Sequence, residues 1–379
     1  MSNIKSVKHN YLEHKCSGCT ICSVACPKDA INIKKSEDGF FYSDVSESLC
    51  IECGLCIKVC PHMQTPLYCS PKQTFIARAM DENRYPNSTS AGVCSSLAEY
   101  MIEKGYSGCG ARYNNHSNTV EHFVAHSYHD FQDAQGSKYL QSNGETAFRE
   151  MLKNISKDNK FIVFGTPCQV AGIRNYIKQK KIEEQFILVD FFCHGVPSYL
   201  LWESYLDYYQ IKKPNLVLFR RKTERRWNDF CLSIHENGKI SEHYSSENDL
   251  FHRLFIFDVC LCETCTMNCQ YYHCYSNADI RVGDCWSIEM HTDKAPMSTI
   301  LSYQTKMNSL IHEIPNLVLS EVKHIDKAIG GQPLEKRKEY IHRAKVIKAL
   351  KKKVNLKYIF YRYVGPKLVI NKINKIVHG

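Results

Sequence analysis

CSGCTICSVACP at residues 16–27 and CIECGLCIKVCP at residues 50–61 are two copies of one pattern, C-x2-C-x2-C-x3-C-P, set 34 residues apart. A repeat at fixed offset marks one structural unit used twice. The x2 steps let one tight loop aim three thiols at a common centre. The x3 step opens a short helix that carries the fourth cysteine away, and the proline after it removes a backbone donor and turns the chain.

This is the run of the bacterial two-cluster ferredoxins, in which the fourth cysteine of each copy serves the other [4Fe–4S] cube. Cys16, Cys19, Cys22 and Cys60 are then expected to hold one cluster, and Cys50, Cys53, Cys56 and Cys26 the other. Zinc knuckles also take four thiolates, but they do not repeat four cysteines at this spacing with a proline closing each copy. Such clusters pass single electrons and make no bonds, so something downstream must use the electrons.

The chain around this unit has 379 residues, 20 cysteines, 17 histidines and a formal charge of +10. That length predicts two or three domains. With 44% hydrophobic, 11% aromatic and 23% charged residues, the composition excludes a disordered or collagenous protein. The first 15 residues are polar and lack the apolar segment of a signal peptide. No uncharged apolar run of about 18 residues offers a membrane-spanning helix. Twenty cysteines in a chain without export signals read as metal chemistry in a reducing cytoplasm rather than as disulfides.

The charge is local. Residues 336–379 hold 14 Lys or Arg against the single Glu339, or +13, which leaves residues 1–335 with 35 basic and 38 acidic side chains, or −3. Val346, Leu350 and Val354, then Leu356, Phe360 and Tyr363, fall on helical apolar stripes among the lysines. A basic amphipathic helix of this kind makes a peripheral contact with an anionic membrane, docks a partner, or packs back on the acidic body.

Between these ends, residues 72–331 alternate strand and helix signals. Val93, Leu97 and Met101 recur at helical spacing. Residues 161–164 and 186–192 are short, mostly apolar runs, each followed by a helix candidate, as buried parallel strands are. Asn237-Gly238 between residues 230–235 and 239–244 predicts a hairpin. The expected class is α+β: a two-[4Fe–4S] ferredoxin-like domain at 1–68, a mixed α/β domain at 72–331, and a basic helical tail at 336–379.

In the middle domain GTPCQVAG places Cys168 in a first helical turn, with Thr166 as cap and Pro167 at the first position. DFFCHGVPS places Cys193 past a strand end, and CLCETC supplies Cys262 and Cys265 shortly before ADIRVGDCW. Cys260, Cys269 and Cys274 crowd the same stretch. In this order, with STSAGVCSSLA (88–98) and GSKYLQS (136–142), these segments resemble the coenzyme F420 hydrogenase/dehydrogenase beta-subunit family. The closest likeness is to its bacterial branch with an N-terminal two-cluster ferredoxin domain, whose members are associated with polysaccharide assembly. The resemblance spans roughly residues 15–286.

It implies an iron–sulfur flavoprotein oxidoreductase carrying electrons between clusters, FAD and a hydride-exchanging substrate, with the deazaflavin F420 as the namesake. It implies a third cluster on Cys168, Cys193, Cys262 and Cys265, for which a small zinc site is the competing reading. For FAD it points to Ser88, Ser90 and Gly92 at a helix start, to Gly136, Ser137, Lys138, Tyr139 and Ser142, and to Asp284 and Trp286. Ser90-Ala91-Gly92 departs from the Ser-Gly-Gly common in the family. Arg220, Arg221 and Lys222, at the end of a strand predicted over 215–219, would bind an anionic substrate or form a solvated loop. The histidines, His122, His126 and His129 among them, show no ligand spacing and read as surface or core. No protein nucleophile is expected.

Partners expected on this reading are a ferredoxin or another oxidoreductase subunit and a small-molecule hydride donor or acceptor, with no nucleic acid. Two rivals make different demands. A non-catalytic ferredoxin-type carrier would bind clusters but no flavin. A zinc-bearing nucleic-acid binder would be colourless and bind in a salt-dependent way.

Overall fold

The computed structural model describes residues 6–8, 15–66, 69–153, 155–222, 230–247, 249–287 and 295–365. Each cysteine run folds as a loop entering one short helix, α1 (Ile21–Ala25) and α2 (Leu55–Val59), separated by the antiparallel hairpin β1 (Ile31–Lys35) and β2 (Phe41–Val45).

From Gln73 the chain runs β3 (Gln73–Ala79), α3 (Val93–Glu103), β4 (Ser107–Asn114), β5 (Thr119–Ala125) and the one-turn α4 (Tyr128–Phe131). Next come β6 (Ser142–Asn143), α5 (Glu145–Lys153), β7 (Phe161–Phe164), α6 (Pro167–Lys180), β8 (Phe186–Phe191) and α7 (Tyr199–Tyr208). An antiparallel excursion follows: β9 (Leu216–Lys222), β10 (Phe230–Glu236), β11 (Lys239–Tyr244), then α8 (Leu250–Ile256). The chain closes with β12 (Ile280–Asp284), β13 (Ser298–Ser302), α9 (Thr305–Glu313), β14 (Leu317–Glu321), α10 (Ile325–Ile329), α11 (Arg343–Lys351) and α12 (Leu356–Tyr363).

Among the described residues, nine strands form one mixed sheet in the order β14-β3-β13-β12-β8-β7-β4-β5-β6. Its centre, β12-β8-β7-β4, is parallel. Buried on both faces, β7 and the start of β8 are apolar throughout, as the runs FIVF and FILV require. Past the carboxyl ends of these strands lie the loops that carry Cys168 and Cys193, which is where open α/β sheets bind ligands. In the separate sheet β11-β10-β9, Asn237 (φ 49°) and Gly238 (φ 77°) take the left-handed conformation of the predicted hairpin turn. β9 runs on through Lys222, past the end expected at residue 219.

The tail's described part does not stand apart. Val346, Leu350, Leu356 and Phe360 are buried in one core with Trp202, Tyr205, Phe219 and Phe251, and Val354 and Tyr363 pack against it. Both apolar stripes are therefore covered by the protein's own body, and the lysines face outward. This overturns, for residues 336–365, the reading in which the stripes meet a membrane. Residues 366–379, the rest of the expected tail, lie outside the described residues.

The two-helix cysteine unit is fastened to the α/β body. Gln141, in the strand-leading segment GSKYLQS, donates from Nε2 to the carbonyls of Ser17 (2.7 Å) and Phe41 (3.1 Å) and accepts at Oε1 from the Phe41 amide (2.5 Å). Gly18 (φ 66°) makes room for this, because a Cβ there would collide with Gln141 Nε2. Ile21, Val24 and Val59 join the core formed by α5, α6 and the sheet. Arg149 (2.6 Å) and Lys153 (2.9 Å) of α5 both reach Asp29.

Candidate functional site: three thiol groups and a cavity

The loops of the two runs aim the thiols as the spacing predicts, with a crossing between them. Cys16, Cys19, Cys22 and Cys60 line one small cavity; Cys26, Cys50, Cys53 and Cys56 line a second. Backbone and side-chain donors surround the sulfurs: the Ala30 amide lies 3.3 Å from Cys26 Sγ and the Ser43 hydroxyl 3.8 Å from Cys16 Sγ. Burial pushes the thiol of Cys60 up to about 12, and burial together with Cys168, Cys60 and Cys22 pushes that of Cys19 well above the ordinary range. Thiols held protonated in this way must release their protons to ligate a metal. Among the described residues no three His, Cys, Asp or Glu side chains converge as ligands of one single ion.

A third group forms behind the sheet's carboxyl edge. Cys168 stands in the first turn of α6, its thiol 3.3 Å from Thr166 Oγ1. Cys193 follows β8, and the Cys262 amide donates to the Val196 carbonyl at 2.9 Å, which brings the CHG and CLCETC segments together. Gly195 (φ 113°) permits this approach, since a Cβ there would lie 3.3 Å from Cys265 Cβ. Cys262 and Cys265 share a hydrogen bond that holds Cys262 below the usual thiol range. Burial and the Cys168 sulfur push Cys193 up to about 12. Cys269 belongs to the same neighbourhood, raised to about 11 by burial with Cys168 close enough to add to the effect. The other two candidates lie elsewhere: Cys260 is in the core beneath α7 and α8, and Cys274 packs near Tyr303 and Ile329.

The groups adjoin. Cys19 of the first is an electrostatic neighbour of Cys168 of the third. Cys262 and Thr264 both reach the Cys16 carbonyl, the hydroxyl at 2.8 Å.

Beyond the third group opens a cavity of about 860 Å³, and Cys193 is part of its wall. Its size is at the upper end of small-molecule and cofactor sites. Ser88, Ser90, Gly92, Gly136, Ser137, Lys138, Tyr139, Ser142, Asp284 and Trp286 all line it. Gly92 (φ 76°) caps α3, and Val93, Cys94 and Ser95 of its first turn line the space. The hydroxyls have different tasks. Ser88 Oγ is buried without a partner, whereas Ser90 Oγ donates to the Met297 carbonyl (3.2 Å) and accepts from Ser298 (2.9 Å). Thr89 and Ser137 tie the two loops together at 2.8 Å. Lys138 donates to the carbonyls of Asp133 (2.9 Å) and Gln135 (2.7 Å), and burial lowers it to about 7.

The basic triplet divides by strand alternation. Arg220 faces the cavity, where its guanidinium meets Asp284 at 2.6 Å and lies between the rings of Phe230 (4.7 Å) and Trp286 (5.3 Å). Lys222, on the same face, donates to the Ser90 carbonyl, and burial lowers it to about 8. Arg221 points to the other face and pairs with Glu242, so it is not part of the cavity. The expected anion-binding trio is thus one neutralised arginine, one loop-fastening lysine and one surface ion pair.

Three histidines stand in the cavity wall that neither spacing nor periodicity marks in the sequence. His122 is buried with Nε2 3.2 Å from the Phe164 carbonyl, and burial lowers it to about 4. His194 lies between Asp258 (2.7 Å) and Arg337 (2.8 Å). His252 pairs with Asp249 at 2.9 Å. A clue exists only for the last, as the i, i+3 pair Asp249 and His252 at a helix start. His126 and His129 are exposed, in keeping with their sequence context.

Residues 158–328 match the sequence model for the carboxy-terminal part of the coenzyme F420 hydrogenase/dehydrogenase beta subunit, and residues 15–63 match the 4Fe-4S dicluster domain. In residues 158–328 the chain carries the carboxy-terminal part typical of the coenzyme F420 hydrogenase/dehydrogenase beta-subunit family. A curated relative, the F subunit of the F(420)H(2) dehydrogenase of Methanosarcina mazei, is 23% identical over 186 residues, which are 46% of this chain and 51% of the relative. The chain thus spans about half the length of that relative. Among solved structures, a chain of the F420-reducing [NiFe] hydrogenase complex from Methanosarcina barkeri aligns with 77% of this chain and 91% of its own, at 16% identity and a TM-score of 0.45. The match at residues 15–63 makes the chain an iron–sulfur protein. No described helix is long and apolar enough to cross a membrane.

Proposed function

We propose that this chain is an iron–sulfur flavoprotein oxidoreductase subunit that exchanges electrons between [4Fe–4S] clusters, FAD and a hydride-exchanging small molecule of the deazaflavin type. One observation carries the reading: Cys193 belongs at once to the third thiol group and to the wall of the cavity, while Cys168 of that group adjoins Cys19 of the ferredoxin unit. On this reading the groups Cys26/Cys50/Cys53/Cys56, Cys16/Cys19/Cys22/Cys60 and Cys168/Cys193/Cys262/Cys265 are three cluster sites in series.

The cavity residues fit a flavin. The amides at the start of α3, Ser88 Oγ and Lys138 would hold the pyrophosphate. The rings of Tyr139, Phe230 and Trp286 in the cavity wall would offer apolar contact to the isoalloxazine. FAD supplies the conversion between one-electron and two-electron transfer. The residues of the cavity wall, Cys193 among them, would orient it and exclude water from it. The basic outer face of the tail and the relatives' names favour a place beside another oxidoreductase subunit.

Anaerobic purification tests the reading. About twelve irons and one FAD per chain are expected, with flavin bleaching on addition of reduced F420. A protein that takes up no flavin under these conditions is the carrier alternative instead.

A further inference from the structure

Asp249 caps α8, accepting from the His252 amide at 2.8 Å. The same Oδ2 lies 2.9 Å from His252 Nδ1, and Oδ1 accepts from the Tyr205 hydroxyl at 2.7 Å. With donors directed at both oxygens, the carboxylate acts as acceptor, so the proton between Asp249 and the imidazole rests on Nδ1. That leaves the lone pair, or a second proton, on Nε2. His252 is 4% exposed and lines the cavity, and its Nε2 has no partner among the described residues. A cap needs only the Asp249 side chain; it does not need an imidazole. Burying a bare ring nitrogen is costly unless an occupant of the cavity satisfies it.

We propose that His252, oriented by Asp249 and Tyr205, is the group that carries protons to and from the two-electron acceptor in the cavity. The inference rests on the redox reading above. Iron–sulfur sites supply electrons singly and carry no protons. Each pair of electrons that becomes a hydride equivalent therefore needs one proton by a separate route. In that step the Nε2–H bond of the His252 imidazolium breaks as an N–H bond forms on an aromatic nitrogen of the acceptor. The acceptor gains two electrons and one proton, and the neutral imidazole recovers its proton from water. In the reverse direction Nε2 is the base. A carboxylate, an imidazole fixed by it, and an unpartnered Nε2 on a residue of the cavity wall are the parts that general acid–base catalysis requires. Other ionisable groups facing the ring are Tyr139, whose ring centre lies 5.9 Å away, and Arg220 behind Phe230, already paired with Asp284.

The test uses the full chain reconstituted anaerobically with iron, sulfide and FAD, as wild type, His252→Gln and Asp249→Asn. Asparagine keeps the helix cap and removes the charge. Three measurements are made: FAD affinity, the pH dependence of the bound flavin's midpoint potential, and stopped-flow transfer to F420 in H2O and D2O. His252→Gln is expected to leave FAD affinity within about threefold, to remove a break in the potential–pH curve, and to slow transfer by about 10²–10³-fold with loss of the solvent isotope effect. Asp249→Asn should move each in the same direction by less. An unchanged break and isotope effect in His252→Gln would overturn the proposal while the redox reading stands. A wild-type protein that binds neither FAD nor F420 overturns both.

Discussion

Arg281 and Asp190 stand opposite each other on the neighbouring parallel strands β12 and β8, joined by two hydrogen bonds, Nε to Oδ1 at 2.7 Å and Nη2 to Oδ2 at 2.6 Å. Each side chain is 1% exposed. Burial works against the guanidinium charge, but Asp190 more than compensates and holds Arg281 above its usual range. The pair ties the strand that leads to Cys193 to the one that ends at Asp284, so it fixes the spacing of two walls of the cavity.

Breaking that pair from one side strands a buried charge. Asp190→Asn should cost about 3–5 kcal/mol, whereas replacing both partners with apolar residues of similar volume should cost far less. Chemical denaturation of the two variants and their double mutant measures the difference.

The crossing of the cysteine runs makes a paired prediction. Cys26→Ser should remove the same cluster signal as Cys50→Ser, and Cys60→Ser the same as Cys16→Ser, each with a loss of about four irons. Low-temperature electron paramagnetic resonance of the reduced variants distinguishes the two signals. Cys26→Ser sharing its loss with Cys16→Ser would contradict the crossing.

What a single sequence conveys here divides by range. The cysteine runs, the strand at 161–164 and the Asn237-Gly238 turn are legible because a few neighbouring residues decide them. Lys222 and Arg221 are not: their opposite directions follow from β9 continuing beyond residue 219, which only its pairing with β10 determines. The cap Asp249 is local, but its pairing with His252 above the cavity depends on where α8 docks. The tail's stripes are legible as apolar faces, yet what covers them is a core assembled from α7 and α8, more than 80 residues earlier.

Lys138 gives a pH dependence with a definite sign. Burial lowers it to about 7, so the free protein loses this charge as pH rises through that value. An anionic pyrophosphate beside it favours the charged form. FAD affinity should therefore be greatest below pH 7 and fall above it. Lys138→Met should weaken binding roughly ten- to a hundredfold at pH 6 and much less at pH 9, as read by fluorescence titration.

The tail also reaches the third thiol group. Arg343, 5% exposed, donates to the Leu261 carbonyl at 2.8 Å and to Glu263 at 2.6 Å, on either side of Cys262. Arg343→Met should loosen that loop and lower iron content by about four atoms per chain. The signals of the eight N-terminal cysteines should remain. Iron analysis with Mössbauer spectroscopy checks this, and full iron retention would count against the role.

Gln141 has a kinetic consequence. A unit stapled at Ser17 and Phe41 cannot ferry charge by swinging between stations, as tethered carrier domains do. If the three thiol groups hold clusters as proposed, the gap an electron would cross between Cys19 and Cys168 is set by the fold, and the interior would behave as a fixed wire. Diffusion would enter only where outside molecules arrive, at the cavity and at the far end, where Cys53 is exposed. Thickening the solvent should then slow the filling of the wire and leave conduction along it unchanged.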